Sequence, residues 1–185
     1  MEGALIFASI IIGLAVADEL VSLHRLLRRR REVRWDWAAP AVALLVLLSQ
    51  VQVWWELAQR HGALTIGGFL PMLGQLILMF LLASAVLPDE VPPKGLDLKT
   101  YYQENGAYVW SLFAAAAGLG TATRLATDLG SGAAALPLLT GRIPEFLSFG
   151  MIVSLIFIRR RWWHAVALLL LAAVGPVLWL SRSLG

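Results

Sequence analysis

Long apolar stretches, separated by short charged segments, run through almost the whole of this sequence. An α-helix needs about 20 apolar residues to cross a hydrocarbon core of about 30 Å, and several of the stretches reach that length. The mean hydropathy of +0.74 and the charged fraction of 15% agree with this reading, because a soluble domain carries roughly a quarter of its residues as charges. We therefore expect an integral membrane protein.

The apolar stretches predict one all-α domain over 1–185 with about six transmembrane helices. Runs such as 41–48 and 165–173 do not alternate apolar and polar residues, as the strands of a membrane barrel would. The expected spans are 4–23, 38–58, 66–87, 106–127, 143–158 and 163–181, and 88–104 is the expected cytoplasmic loop. The segment 130–142, rich in glycine and alanine, is either a connection or a re-entrant stretch.

The distribution of lysine and arginine predicts the orientation. Eleven of the 15 lie in the expected loops on one side, whereas the other four are Arg60, Arg124, Arg142 and Arg182. The positive-inside tendency makes the richer side cytoplasmic and both termini external. The eight tryptophans lie near expected helix ends, where indole rings contact lipid headgroups.

The amino-acid composition and the clustering of the arginines predict the location and the partners of the protein. The Ala-, Leu- and Arg-rich usage is typical of a bacterial chain, so the expected location is the bacterial inner membrane. Because the arginines cluster beside apolar segments, we assign the pI of about 9.8 to lipid headgroups and expect no nucleic acid. The expected partners are the lipid bilayer and either a second copy of this chain or another membrane protein.

Enzyme motifs and cofactor ligands are sparse. The chain has no cysteine, which excludes disulfides, iron–sulfur clusters and cysteine nucleophiles. It contains no HExxH zinc motif, GxSxG elbow, Walker loop or dinucleotide-binding turn. His24, His61 and His164 all lie near expected helix ends, so no two share the depth that bis-imidazole haem ligation needs. We expect no metal and no cofactor, and an enzyme is not indicated.

Ionisable and amide side chains within the expected spans are the candidate functional residues, because burying a charge in the bilayer costs about 2.5–3.5 kcal/mol on insertion scales. Asp18 is predicted to face the interior, since Ser22 and Arg25 lie on its helix face. Glu19 then either leans toward the headgroups or becomes neutral by binding a proton. Structural alternatives are an ion pair that seats the helix end and amides that hold helices together. The candidates for an ion pathway are Asp18, Glu19, Gln52, Glu56 and Gln75.

A second charged group lies near the outer ends of the fourth and fifth spans. Arg124 can pair with Glu145 or with Asp128, and the sequence does not choose between them. A solvated pair with Arg60 is the simplest interpretation of Glu56, because the two are four residues apart. The candidates for an outer ion pair or gate are Arg124, Asp128, Arg142 and Glu145.

Small residues on the first span predict a helix contact. Ser9, Gly13 and Ala17 recur every four residues, a spacing that lets another helix approach closely. The leading hypothesis is a proton- or cation-conducting channel or transporter. Its alternatives are an accessory or structural subunit that binds another membrane protein through this stripe, and a lipid-modifying enzyme without a readable motif.

Overall fold

The computed structural model describes residues 2–59, 65–132 and 134–180, and it is helical apart from short connections. The described helices are α1 (Glu2–Arg28), α2 (Ala38–Ala58), α3 (Ile66–Val86), α4 (Leu98–Gly130), α5 (Ala135–Gly141), α6 (Ile143–Phe157) and α7 (Arg161–Leu180). One two-residue parallel bridge pairs β1 (Val33–Arg34) with β2 (Leu96–Asp97). The predicted all-helical architecture is confirmed.

Within the described ranges, three helices are long and apolar enough to cross a membrane, namely α1, α2 and α3. The helices α5 and α6 meet at a bend of 58°, and together they form a fourth such segment if they are one broken span. Glycine, serine and threonine dilute the apolar part of α4, and the apolar helix found in α7 is the shorter stretch 161–173. These helices are compatible with a membrane protein, and the count of six spans stays a prediction.

Several helix starts follow directly from local sequence. The Asp97 carboxylate accepts hydrogen bonds from the backbone N–H groups of Lys99 (2.9 Å) and Thr100 (3.3 Å), and so caps α4. Thr65 caps α3 in the same way through Gly68. Proline and then glutamate occupy the first turn of α6, where a missing N–H costs little and a negative charge is favoured.

The helices pack around α3 and α4. α3 contacts both α1 and α4, and α4 also packs against α6. The last turns of α1, α3 and α6 lie beside the first turns of α2, α4 and α7, and we call this the arginine end because most of the basic residues are there. The other end, where α2 ends and α6 begins, is the opposite end. The core between them contains Trp110, Leu82 and Leu155.

The arginines that end α1 hold the connection between α3 and α4. Arg25 donates to the carbonyl of Asp89 (2.9 Å), and Arg29 donates to that of Val91 (3.0 Å). Gly95 has a φ of +85°, and a Cβ there would lie 2.9 Å from the carbonyl oxygen of Glu32, so only glycine fits. Part of the basic cluster therefore anchors a loop of the protein itself.

Candidate functional site

The buried face of α1 decides which of its polar residues meet other helices. Its buried positions alternate in steps of four and three residues, and they are Ala8, Ile12, Ala15, Glu19, Ser22 and Leu26. Gly13 and Ala17 are exposed instead, and nothing lies within 4 Å of a Cβ built on Gly13. The predicted contact of Ser9, Gly13 and Ala17 with another helix of the chain is wrong for Gly13, whereas the Ser9 hydroxyl accepts a hydrogen bond from Trp54 of α2 (3.0 Å).

Glu19 and Gln50 form a buried pair between α1 and α2. Glu19 is 4% exposed and Gln50 is fully buried. The Gln50 amide Nε2 donates to Glu19 Oε2 over 3.0 Å. The amide oxygen of Gln50 is also buried, and it has no hydrogen-bond partner among the described residues. One acceptor in this pair is therefore available for a further donor.

Asp18 lies at the edge of the buried face of α1, and its side chain contacts α3. Its carboxylate accepts a hydrogen bond from the Ser84 hydroxyl (2.6 Å), and the residue is partly exposed. Asp18 thus faces protein, as predicted, but the choice of Asp18 as the interior carboxyl is wrong. Consecutive residues are rotated by about 100°, and Glu19 is the one on the packed face. Within the described chain, neither carboxyl forms an ion pair with a lysine, arginine or histidine.

An ion network ties three helices together at the opposite end. Arg124 of α4 contacts Glu56 of α2 (2.9 Å) and Glu145 of α6 (3.7 Å). Arg142 contacts Glu145 (3.0 Å) and also Asp128. The four residues predicted for an outer ion pair are thus brought together, with Glu56 as the fifth member.

The network also shows which carboxylates pair with Arg124, a choice that the sequence left open. Asp128 pairs with Arg142, and Arg124 with Glu56 and Glu145. Gln52 extends the network by donating to Glu56 over 3.1 Å. Arg60, the partner first expected for Glu56, lies outside the described residues.

Gln75, the remaining pathway candidate, packs against α4 rather than against the Glu19 pair. A Cβ built on Gly120 would lie 2.6 Å from Gln75 Nε2, so the amide occupies space that any other residue at 120 would fill. On the opposite-end side of Glu19, apolar side chains close the space between α1 and α3. This plug consists of Ala8, Ile12, Met72 and Leu76. The polar candidates therefore form separate clusters.

A third polar cluster, at the arginine end, was missed by the sequence reasoning. Tyr102 and His164 Nδ1 are 2.6 Å apart, Trp110 Nε1 donates to the Tyr102 hydroxyl (2.9 Å), and His164 Nε2 lies 2.7 Å from the carbonyl of Ile158. A carbonyl only accepts, so Nε2 carries a proton, and in the neutral ring Nδ1 then accepts from the hydroxyl. The Tyr102 hydroxyl therefore joins Trp110 to His164 inside the bundle.

This cluster corrects the prediction for Trp110, which was expected at the lipid boundary. Trp110 is 0% exposed and its indole N–H is used inside the bundle. The position of Trp110 near a helix end did not show whether the ring is buried in the bundle or contacts lipid headgroups. A tryptophan at a buried helix end and one at a lipid-facing helix end have the same sequence signature. The sequence signal that could have indicated this cluster is the pair of polar residues, Tyr102 and His164, near the starts of two helices.

Searches against protein-family models, curated proteins and solved structures find no match. Among the described residues, no group of three or more His, Asp or Glu side chains is arranged to hold a metal ion. The candidate site is therefore defined by its geometry alone, as the two carboxyls of α1 with their neutral partners.

Proposed function

We propose that this protein is a small multi-pass protein of a bacterial inner membrane that moves protons across the bilayer. In this proposal α1, α2, α3, α4, the α5–α6 pair and α7 are the six spans, with the arginine end in the cytoplasm. The eleven-to-four distribution of basic residues supports that orientation. The observation that carries the transport function is the Glu19–Gln50 pair.

The surroundings of Glu19 favour a proton-binding group. A carboxylate away from water needs a cation or several hydrogen bonds, and the described neighbours supply one amide donor. A neutral carboxylic acid has an O–H that can donate to the amide oxygen of Gln50, which has no partner among the described residues. Uptake of a proton by Glu19 therefore satisfies both members of the pair.

The arrangement favours a carrier over an open pore. Asp18 is partly exposed, is adjacent to Glu19 and lies nearer the arginine end than the plug, so it suits proton exchange with that side. On the other side, Glu56 lies six residues beyond Gln50 on α2, which is about 9 Å along the helix axis. The plug fills the space between α1 and α3 toward that end. Passage needs a second conformation in which the plug opens.

Proton flux into liposomes tests this function. Purified protein is reconstituted in vesicles with an internal pH-sensitive dye, and a potassium diffusion potential drives the flux. We expect Glu19→Gln to abolish flux, because an amide cannot bind and release a proton at neutral pH. Asp18→Asn should slow flux several-fold, since Asp18 only relays the proton in this scheme.

The matched control is Glu104→Gln, the same chemical change at an exposed glutamate of α4. It should leave flux unchanged. Wild-type flux in Glu19→Gln, or no flux above that of empty vesicles for the wild-type protein, would overturn the transport proposal. Sodium or potassium flux without proton flux would also overturn the choice of proton.

A second candidate function is that of a subunit bound to another helix through the exposed stripe of α1. The open space around Gly13 supports it, because a small exposed residue allows close approach of a helix from another chain. The chain has no cysteine, so a single introduced cysteine reports contacts without interference. If copies of the chain associate here, Gly13→Cys should form disulfide-linked dimers, whereas Leu14→Cys, about 100° around the helix, should not.

The absence of cysteine also allows the orientation to be tested. A cysteine at position 30, in the arginine cluster, should react with a membrane-impermeant maleimide only after the cells are opened. Labelling in intact cells would reverse the topology, and would make the arginine end external.

A further inference from the structure

A cavity of about 290 Å³ opens at the arginine end between the starts of α2, α4 and α7 and the end of α6. None of the residues proposed for proton transport lines it. Its polar lining contains three cations, Lys99, Arg159 and Arg161, and one carboxylate, Asp36. The cavity therefore carries a net positive charge.

The pairing within the cavity leaves two cations for a ligand. Asp36 pairs with Arg161, whose guanidinium also lies 6.0 Å from the centroid of the Trp37 ring. Within the described residues, no acidic side chain forms an ion pair with Lys99 or Arg159. An anion in this cavity would thus meet two positive charges that no internal partner neutralises.

The back of the cavity is fixed by the cluster of Tyr102 and His164. His164 is 7% exposed, and both of its ring nitrogens are engaged, one with Tyr102 and the other with the carbonyl of Ile158. The ring therefore cannot rotate without losing two hydrogen bonds. This part of the wall is a rigid polar surface and not a mobile ligand arm.

The other walls and the surroundings are apolar. Leu155, Ile156 and Ala107 line the cavity beside the cations. Trp37 is 45% exposed and Trp162 is 60% exposed, so indole rings flank the same end of the bundle. A cationic pocket with an apolar wall and neighbouring indoles matches a molecule that has both an anionic head and an acyl chain.

We infer that this cavity binds the phosphate of an anionic phospholipid headgroup, with Lys99 and Arg159 as its charge partners and the Leu155 side as the wall for the start of an acyl chain. The inference uses the proposed placement in a membrane but not proton transport. Binding and flux are measured separately, so one can fail while the other stands.

Lipid binding by the detergent-solubilised full chain tests the inference. Native mass spectrometry gives apparent Kd values for dioleoylphosphatidylglycerol and, as the neutral reference, dioleoylphosphatidylcholine. We expect about 25-fold tighter binding of the anionic lipid, which is roughly fivefold for each of two cations. The double variant Lys99→Gln/Arg159→Gln should bind both lipids within about twofold of each other.

Arg160→Gln is the matched control, because Arg160 follows Arg159 directly, is exposed and is not part of the cavity lining. It should keep the preference for the anionic lipid. Equal losses in Arg159→Gln and Arg160→Gln would overturn the site, because they would show a general attraction to the arginine end. Both positions are exposed, and circular dichroism of each variant checks that it remains helical.

Inorganic phosphate distinguishes a lipid headgroup from a free anion. At about 10 mM it should not displace the lipid, because it lacks the acyl chain that contacts the apolar wall. Displacement by phosphate would overturn the assignment to a lipid, and equal binding of the two lipids by the wild-type protein would overturn the assignment to an anionic headgroup.

Discussion

The carboxyl side chains at the opposite end of the bundle and those in the middle of α1 have different partners. Glu56, Asp128 and Glu145 each contact an arginine. Among the described residues, Asp18 and Glu19 have the Ser84 hydroxyl and the Gln50 amide instead. An ion-paired carboxylate holds its charge because protonation would strand the arginine, whereas a carboxyl with a neutral partner changes protonation without leaving a cation unpaired. The first region joins helices through ion pairs, and the second contains the two carboxyls that we propose exchange protons.

Removing an arginine from the network should have the largest effect on stability. Arg124→Met keeps most of the volume but leaves Glu56 and Glu145 with one fewer cation. The Arg124 side chain is 27% exposed. We therefore expect a loss of about 3 kcal/mol in the free energy of unfolding, at the low end for a broken buried ion pair. Unfolding in mixed micelles by dodecyl sulfate titration measures this loss.

The double variant Arg124→Met/Glu56→Gln is the control for that loss. It should recover part of the stability, because it also removes one of the stranded carboxylates. Strictly additive losses would show that the effect of Arg124→Met comes from packing and not from charge.

Neutralising one carboxyl in each region compares them directly. Glu56→Gln should cost about 1–2 kcal/mol, because Arg124 then keeps Glu145 as its only described carboxylate partner. Glu19→Gln should change stability by less than about 0.5 kcal/mol, because an amide can both accept from and donate to Gln50. The same unfolding measurement serves both variants. Equal losses would contradict the distinction between the two regions.

Ser84→Ala should have a smaller effect that is specific to the second region. It removes the hydroxyl that donates to Asp18, and a hydrogen bond of this kind is worth about 1 kcal/mol. Ser111→Ala is the control, because the Ser111 hydroxyl bonds to a carbonyl of its own helix and the residue is exposed. It should change the free energy of unfolding by less than about 0.5 kcal/mol. Similar values for the two variants would mean that the Asp18 contact contributes nothing to folding.

The smallest expected effect on stability concerns the contact between the Gln75 amide and Gly120. Gly120→Ala places a methyl group 2.6 Å from the present position of Gln75 Nε2, so the flexible end of Gln75 must shift. The expected cost is about 0.5–1 kcal/mol, reduced from the cost of a rigid overlap by that mobility. Gly13→Ala, which meets nothing within 4 Å, should not be destabilising. A cost at Gly13 equal to that at Gly120 would point to a contact on the exposed face of α1.

The helices themselves could be predicted because their causes are local. Apolar stretches of about 20 residues, the Asp97 cap and the proline in the first turn of α6 each act within a few residues of the chain. The opposite-end network was predicted in part for the same reason, since charged residues near helix ends were the available partners. Which carboxylate meets which arginine was not predictable, because Glu56 and Arg124 are 68 residues apart.

The sequence could not predict which face of α1 packs against the other helices, and the reason is physical. Ile12 on its packed face is no more apolar than Ile6, Ile10 and Leu14 on its exposed face, each of which is more than half exposed. A helix that is apolar all round has no polar side to indicate which face packs inward. Helical periodicity therefore gives the angle between Asp18 and Glu19 but does not show which of them faces the bundle. That error also misplaced the stripe of Gly13 and Ala17.

The sequence by itself determined that the chain is helical, where most helices begin and end, and which few polar residues lie within them, because helix formation in an apolar chain depends on local hydrogen bonding and length. Only the tertiary structure decided that Glu19 is the buried carboxyl, that Gln50 is its partner, and that Lys99, Arg159 and His164 line one cavity. Those outcomes depend on side-chain fit between helices that are distant in sequence. Such fit is a property of the packed bundle and has no signature in any one segment.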